Sequence, residues 1–323
     1  MNSEFAFIET IRRRFSLSKI GDDCAVLPKD SKTDLVITSD LLVEDIDFRF
    51  DWTTPEFLGH KALAVSLSDV AAMGAKPVWA MLSIGIPETI WKTDFVEKFY
   101  DGWFGLAKKY DVELVGGDVS KTPDKIVIDS IAAGLVRKNK AVLRSGAKAG
   151  DLIFVTGSLG GAAAGLTLLK NGVRYDAAAN TWQRNLLLKQ LSPLPQIHAA
   201  QDLNEKNLAT AMVDISDGLS SDLAHLCHAS KVGAEIFAEK IPLHKNLRAI
   251  GKSFDENLDC ALNGGEDFEL LFTVNPKKKF QFENELKNYN FSHIGEMTAN
   301  VETIELISDK KSSILEPKGF RHF

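Results

Sequence analysis

Apolar runs that end on a carboxylate constrain this chain more than any other feature. Leu35-Val36-Ile37 leads into Thr38-Ser39-Asp40, and short hydrophobic segments sit beside further acidic turns downstream. These are Ser68-Asp69, Gly116-Gly117-Asp118, Asp214-Ile215-Ser216-Asp217 and Gly264-Gly265-Glu266-Asp267, with Gly21-Asp22-Asp23 before them all. Singly, each turn is ordinary loop chemistry, because Asp, Ser and Gly favour turns for backbone reasons. Together they describe a site assembled from loop-borne carboxylates at strand ends, where functional groups tend to sit. Asp69 is the sharpest case: it interrupts an apolar helical stretch, with no Lys or Arg within five residues on either side. Asp is rarely buried unless it is paired or bound to a metal.

Strand and helix patterns alternate along both halves, which predicts an α/β layer structure in each. Thr54 and Pro55 predict the start of a helix running to about Met73, with Gly74 as its stop. Val78 to Ile86 reads as a strand, Thr93 or Asp94 as the cap of a helix ending near Tyr110, and Val112 to Val115 as a strand emptying into Gly116-Gly117-Asp118. Arg144 to Asp151 is a Gly-rich polar break. A chain of 323 residues exceeds what one core usually organises, so two domains are expected, 1–140 and 141–323. The net charge of −6 argues against a nucleic-acid partner held by phosphate neutralisation. No apolar run approaches the roughly 18 residues that cross a bilayer, so no membrane partner is expected. Phe5 to Phe15 has the wrong order of charge and apolarity for an export signal. Cys24, Cys227 and Cys260 are scattered and read as reduced thiols, which points to the cytoplasm.

Carboxylates that converge repel one another: two unit charges about 4 Å apart cost roughly 4 kcal/mol at an effective dielectric near 20. A hard divalent cation with oxygen ligands relieves this, and Asp with Thr38, Ser39 and Ser216 oxygens suits Mg²⁺. Mg²⁺ also binds phosphates, so an acidic protein can hold a nucleotide. The usual nucleotide signatures are absent: there is no P-loop and no kinase glycine loop. Gly157-Ser158-Leu159-Gly160-Gly161 reads either as a loose dinucleotide loop or as a tight strand-to-helix turn. No Ser–His–Asp or Cys–His set is found, and His225 and His228 read as one surface face of a helix.

Several segments resemble the thiamine-monophosphate kinase family. They are Ile20 to Asp23, Thr38 to Asp40 with Val43 to Phe48, Lys61 to Ala75, Gly116 to Asp118, Leu143 to Ala147, Val213 to Leu219, Gly264 to Leu270 and Lys318 to Phe320. The resemblance implies the two-domain α/β fold of aminoimidazole ribonucleotide synthetase, with an N-terminal domain that dimerises through its sheet into a homodimer. It implies ATP- and Mg²⁺-dependent phosphorylation of thiamine monophosphate. Carried over by motif, Asp23, Thr38, Ser39, Asp40, Asp69, Asp118, Asp214 and Asp217 would hold metal. Tyr100, Gly117, Asp118, Arg144 and Ser216 would contact ATP, and Asp47, Glu266 and Phe320 the thiamine substrate. Asp40, Asp118 and Arg144 would carry catalysis. Asp47 stands where the family commonly has His, which leaves its substrate contact open. The alternatives are another ATP-dependent enzyme of the same fold, such as a cyclo-ligase or a selenophosphate synthetase, and a nucleotide-binding protein without catalysis.

Overall fold

The computed structural model describes residues 4–178, 180–250 and 253–320, so the ends of the expected domains, 1–3 and 321–323, lie outside the described residues. The first half builds α1 (Glu4–Arg14), β1 (Ala25–Pro28), β2 (Thr33–Val43), α2 (Pro55–Ala72), β3 (Lys76–Pro87), α3 (Glu88–Trp91), α4 (Phe95–Tyr110), β4 (Glu113–Thr122) and β5 (Val127–Arg137). Its strands form one five-stranded sheet in the order β1-β2-β5-β3-β4. Only β3 and β4 run parallel, and α4 makes the crossover that a parallel pair requires.

The second half builds β6 (Leu152–Thr156), α5 (Gly161–Lys170), α6 (Thr181–Leu191), α7 (Ile197–Glu205), β7 (Ala209–Asp214), α8 (Leu219–Ser230) and β8 (Gly233–Phe237). It continues through α9 (Phe254–Asn263), β9 (Leu270–Val274), α10 (Lys279–Glu285), β10 (Phe291–Thr298), β11 (Ile304–Ser308) and β12 (Lys311–Ile314). These strands form a seven-stranded sheet in the order β12-β11-β8-β10-β6-β9-β7. No helix among the described residues is long and apolar enough to cross a membrane.

The helix α2 joins the halves. It starts as its sequence predicts, with the Thr54 hydroxyl accepting from the Phe57 amide at 3.3 Å and Pro55 in the first turn. Leu58, Ala62, Leu63, Leu67, Val70 and Ala71 are all buried on it. A helix that is apolar on every side must be covered on every side. β2, β3, β5 and α4 cover it from the first half, and β7, α6 and α7 from the second. Gly59 lets α4 come close, since a Cβ there would lie 1.8 Å from the Phe99 carbonyl oxygen. One apolar cluster runs from Val36, Leu63 and Leu67 to Phe154, Phe272 and Phe282, so the core is continuous between the halves.

Two strands are longer than the sequence predicts, and both matter for the site. Asp40 does not end β2: the strand pairs with β5 from Thr33↔Arg137 to Val43↔Val127, and Asp40 lies opposite Ser130. Asp118 is likewise inside β4, opposite Ser83 of β3. Gly117 permits this, because a side chain there would meet the Leu82 carbonyl oxygen at 1.8 Å. Beyond Val43 the chain leaves the strand at a turn, where Asp45 has φ 72° and Asp47 accepts from the Val43 amide at 2.7 Å.

Candidate active site

Asp23, Asp69 and Asp214 converge: one carboxylate oxygen from each lies within 4.8 Å of the other two. They come from the turn before β1, from α2 and from the end of β7, so both halves contribute. Three ionised carboxylates at that spacing repel by about 3.5 kcal/mol per pair at an effective dielectric near 20. Arg144 offsets part of this, donating to Asp23 Oδ1 from Nη2 at 2.5 Å and from Nε at 3.1 Å. Asp23 Oδ2 is buried with no hydrogen-bond partner among the described residues. Burial and the Asp23 charge push the Asp214 carboxyl up to about 7. Asp69 is pushed well up by burial and by Asp40, Asp214 and Asp23. An orphaned buried oxygen among carboxylates that resist ionisation fits a hard divalent cation.

The hydroxyl groups around this cluster hold it in shape. Thr38 donates to Asp69 Oδ2 at 2.5 Å, Ser68 to Asp214 Oδ2 at 2.6 Å and Ser66 to Asp40 Oδ2 at 2.7 Å. Burial pushes the Asp40 carboxyl up to about 6. Asp22 also belongs here, although the sequence singled out no role for it. Its carboxylate accepts from the Arg144 amide at 3.1 and 3.2 Å, and burial with the Asp23 charge pushes it up to about 6.

Strand alternation separates other expected site residues from this cluster. Thr38 and Asp40 face α2, so Ser39 between them faces the opposite side of the sheet, where its hydroxyl donates to Asp129 at 2.8 Å. Asp118 is exposed and opposite Ser83, which alternates with buried Leu82 and Ile84, so it too projects from the face away from α2. The structure therefore does not bring the Ser39 and Asp118 side chains to Asp23, Asp69 and Asp214 within one chain. Tyr100 lies on α4, its ring 5.7 Å from Phe99 and 6.1 Å from Phe104 between centroids.

A second group forms where β7 gives way to α8. Asp217, Asp222 and His225 have ligand atoms within 4.8 Å of one another. Here the sequence reading needs correction: His228 is exposed and bonded to Glu302, but His225 is half-buried beside two carboxylates. Asp222 caps the start of α8, accepting from the Asp217 and Gly218 amides at 3.2 and 3.0 Å. The tail docks against the same helix start, with the Lys318 amide on Ser220 Oγ, the Gly319 amide on Ser221 Oγ, and the Phe320 amide on the Asp217 carbonyl. The Glu266 amide donates to the Ser216 carbonyl at 2.8 Å. Backbone bonds thus bring Ser216, Asp217, Glu266 and Phe320 together, and half-buried Asp47 stays in its own turn.

The choice left open at Gly157 to Gly161 is also decided. Asp267 Oδ2 accepts from the Gly160 amide at 2.6 Å and Oδ1 from the Ala162 amide at 3.1 Å. The protein's own carboxylate fills the start of α5, so the segment is a tight turn and leaves no phosphate cradle.

Two sheets bridged by one apolar helix, with carboxylates from both halves meeting beside it, define an AIR synthase related protein. The family model of the N-terminal domain matches residues 21–136 and that of the C-terminal domain residues 148–306. Within that class, the chain belongs to the thiamine-monophosphate kinase family. It is 41% identical over 310 residues to thiamine-monophosphate kinase of Buchnera aphidicola subsp. Acyrthosiphon pisum, covering 94% of this chain and 92% of that one. To the Escherichia coli K12 enzyme of the same name it is 39% identical over 306 residues, at 94% and 91% coverage. A solved structure of AaThiL complexed with AMPPCP and TMP superposes with a TM-score of 0.86 at 35% identity, covering 99% of this chain and 97% of that one.

Proposed function

We propose that the chain transfers the terminal phosphoryl group of ATP to the phosphate of thiamine monophosphate, giving thiamine diphosphate. The observation that carries the proposal is the meeting of Asp23, Asp69 and Asp214 around an unpartnered buried oxygen, with Arg144 alongside. Asp23, Asp69 and Asp214 would hold Mg²⁺, with Asp40 and the Thr38 hydroxyl behind them. When bound, the ion would supply charge neutralisation to the phosphoryl groups held beside these carboxylates. Arg144 keeps its charge beside Asp23 and faces the phosphates as they become more negative. Ser216, Gly117, Asp118 and Tyr100 serve the nucleotide, while Glu266, Phe320 and Asp47 serve the thiamine part. The attacking oxygen belongs to a phosphate whose second pKa is about 6, so it is ionised near neutral pH and needs no general base. Positioning and electrostatics then carry the in-line transfer.

A homodimer belongs to the same reading. The sheet face away from α2 carries Leu41 and Met81, 61% and 38% exposed, beside half-buried Leu35, Ile37, Ile131 and Leu135. An apolar face of this kind marks an interaction surface. Asp118 and Ser39 project from that same face, so a second copy seated there would adjoin them. The two sheets are taken as two domains meeting near residue 140. Cys24 and Cys227, buried thiols outside any disulfide, support a reducing cytoplasm.

Coupled ADP release tests the proposal. ADP should form only with thiamine monophosphate and Mg²⁺ both present, and Asp40→Asn should abolish it. Equal release with an aminoimidazole ribonucleotide precursor or with no acceptor would refute it.

A further inference from the structure

A polar group outside the carboxylate cluster joins α2, α6 and the loop before β9. Lys61, only 5% exposed, places its ammonium 2.6 Å from Glu266 Oε1. Gln190 donates its amide NH₂ to Glu266 Oε2. This fixes the orientation of the amide, since the flipped form would set its carbonyl oxygen against a carboxylate. Gln190 is itself 5% exposed, and its carbonyl oxygen Oε1 is buried without a partner among the described residues. An unmet buried acceptor is costly, and a native chain that keeps one has a use for it.

The same loop is strained. Glu266 and Phe268 occupy left-handed backbone at φ 67° and 48°, held by hydrogen bonds that their amides donate to the Ser216 and Ile215 carbonyls. Such strain in residues other than glycine gathers at ligand-binding positions. The Glu266 side chain keeps 29% of its surface exposed, so the group opens to solvent there. Its charge is already spent on Lys61. The carboxylate exposed there is thus neutralised, and the unmet acceptor of the group, Gln190 Oε1, is buried and uncharged, which suits a neutral amine donor better than a cation.

We infer that Gln190 is a specificity-determining residue that accepts a hydrogen bond from the exocyclic amine of the substrate's aminopyrimidine ring. Glu266 and Lys61 hold its amide in the accepting orientation. The inference rests on the proposed thiamine substrate and deepens it. It sets the aminopyrimidine at Glu266 and Gln190, and leaves the thiazolium cation to other groups.

The test compares thiamine monophosphate with its 4-oxo counterpart, in which a carbonyl replaces the amine, on the wild-type chain and on Gln190→Met. The wild type should favour the amine by at least tenfold in kcat/KM, the scale of one lost hydrogen bond plus an unmet acceptor. Gln190→Met should lose about tenfold on the amine substrate, mainly through KM, and bring the ratio between the two substrates below about threefold. Should the methionine chain not fold, Gln190→Asn draws the carbonyl back by one methylene, and the same collapse of the ratio is expected. A wild-type ratio under threefold, or an equal loss on both substrates in the variant, overturns the inference and leaves the kinase reading intact. No turnover of thiamine monophosphate by the wild type would sink the function itself, and the inference with it.

Discussion

Replacing Asp214 by Asn should make the metal-free protein more stable while destroying its activity. Asp214 is buried, and burial with the neighbouring Asp23 charge raises its carboxyl from 3.8 to about 7. A shift of roughly 3 units corresponds to about 4 kcal/mol of penalty for the ionised form above pH 7. The Coulomb repulsion of about 3.5 kcal/mol per pair is of the same size. The sign follows from linkage. The folded state holds this proton more tightly than the unfolded chain does. Its contribution is therefore fully favourable below pH 3.8 and is lost as pH rises through about 7. Asn removes the charge and keeps an oxygen for the Ser68 hydroxyl, which now donates to Asp214 Oδ2 at 2.6 Å. With EDTA at pH 8, Asp214→Asn should melt higher by about 5 °C or more, allowing for relaxation and about 2–4 °C per kcal/mol. At pH 5 the gain should shrink to a few degrees at most, because the wild type is already protonated there. Mg²⁺ with ATP should raise the melting temperature of the wild type and leave the variant unmoved. An unchanged or lower melting temperature at pH 8, or a gain independent of pH, would refute the reasoning.

Other substitutions separate residues that are adjacent in sequence or that share a sheet face. Ser39→Ala should lose one hydrogen bond to Asp129, worth about 1 kcal/mol, and keep turnover within about threefold of wild type in steady-state assays. Thr38→Val, one residue earlier, removes the bond to Asp69 and should cost far more turnover. The double substitution Leu41→Glu and Met81→Glu should convert a dimer to monomers in sedimentation velocity, and an unchanged sedimentation coefficient would exclude that face as the interface.

The carboxylate cluster was legible in the sequence because burying Asp leaves a trace. Asp69 stood out as a carboxylate set among apolar neighbours on α2, which could be bounded from Thr54, Pro55 and Gly74. What the sequence could not supply was pairing. Asp40 and Asp118 look like strand-end residues until β2 and β4 are seen to continue beside β5 and β3. Register then puts Ser39 and Asp118 on the face opposite Thr38 and Asp40. Lys61 sat inside a recognisable motif without a role, because its partner Glu266 lies some two hundred residues on. Gln190 carried no signal, since a side-chain amide is usually solvated surface. Asp222 and His225 were hidden for a different reason. Nothing in a stretch of ordinary helix announces that the turn before it folds back to meet them.

Because α2 is greasy on every side, the first half alone would leave bare the stripe that β7, α6 and α7 cover. Asp23 and Asp69 would also wait for a third carboxylate that emerges only with residue 214. On the proposed reading, the third carboxylate of the site and the cover for the helix arrive together, so a chain lacking the second half would have neither.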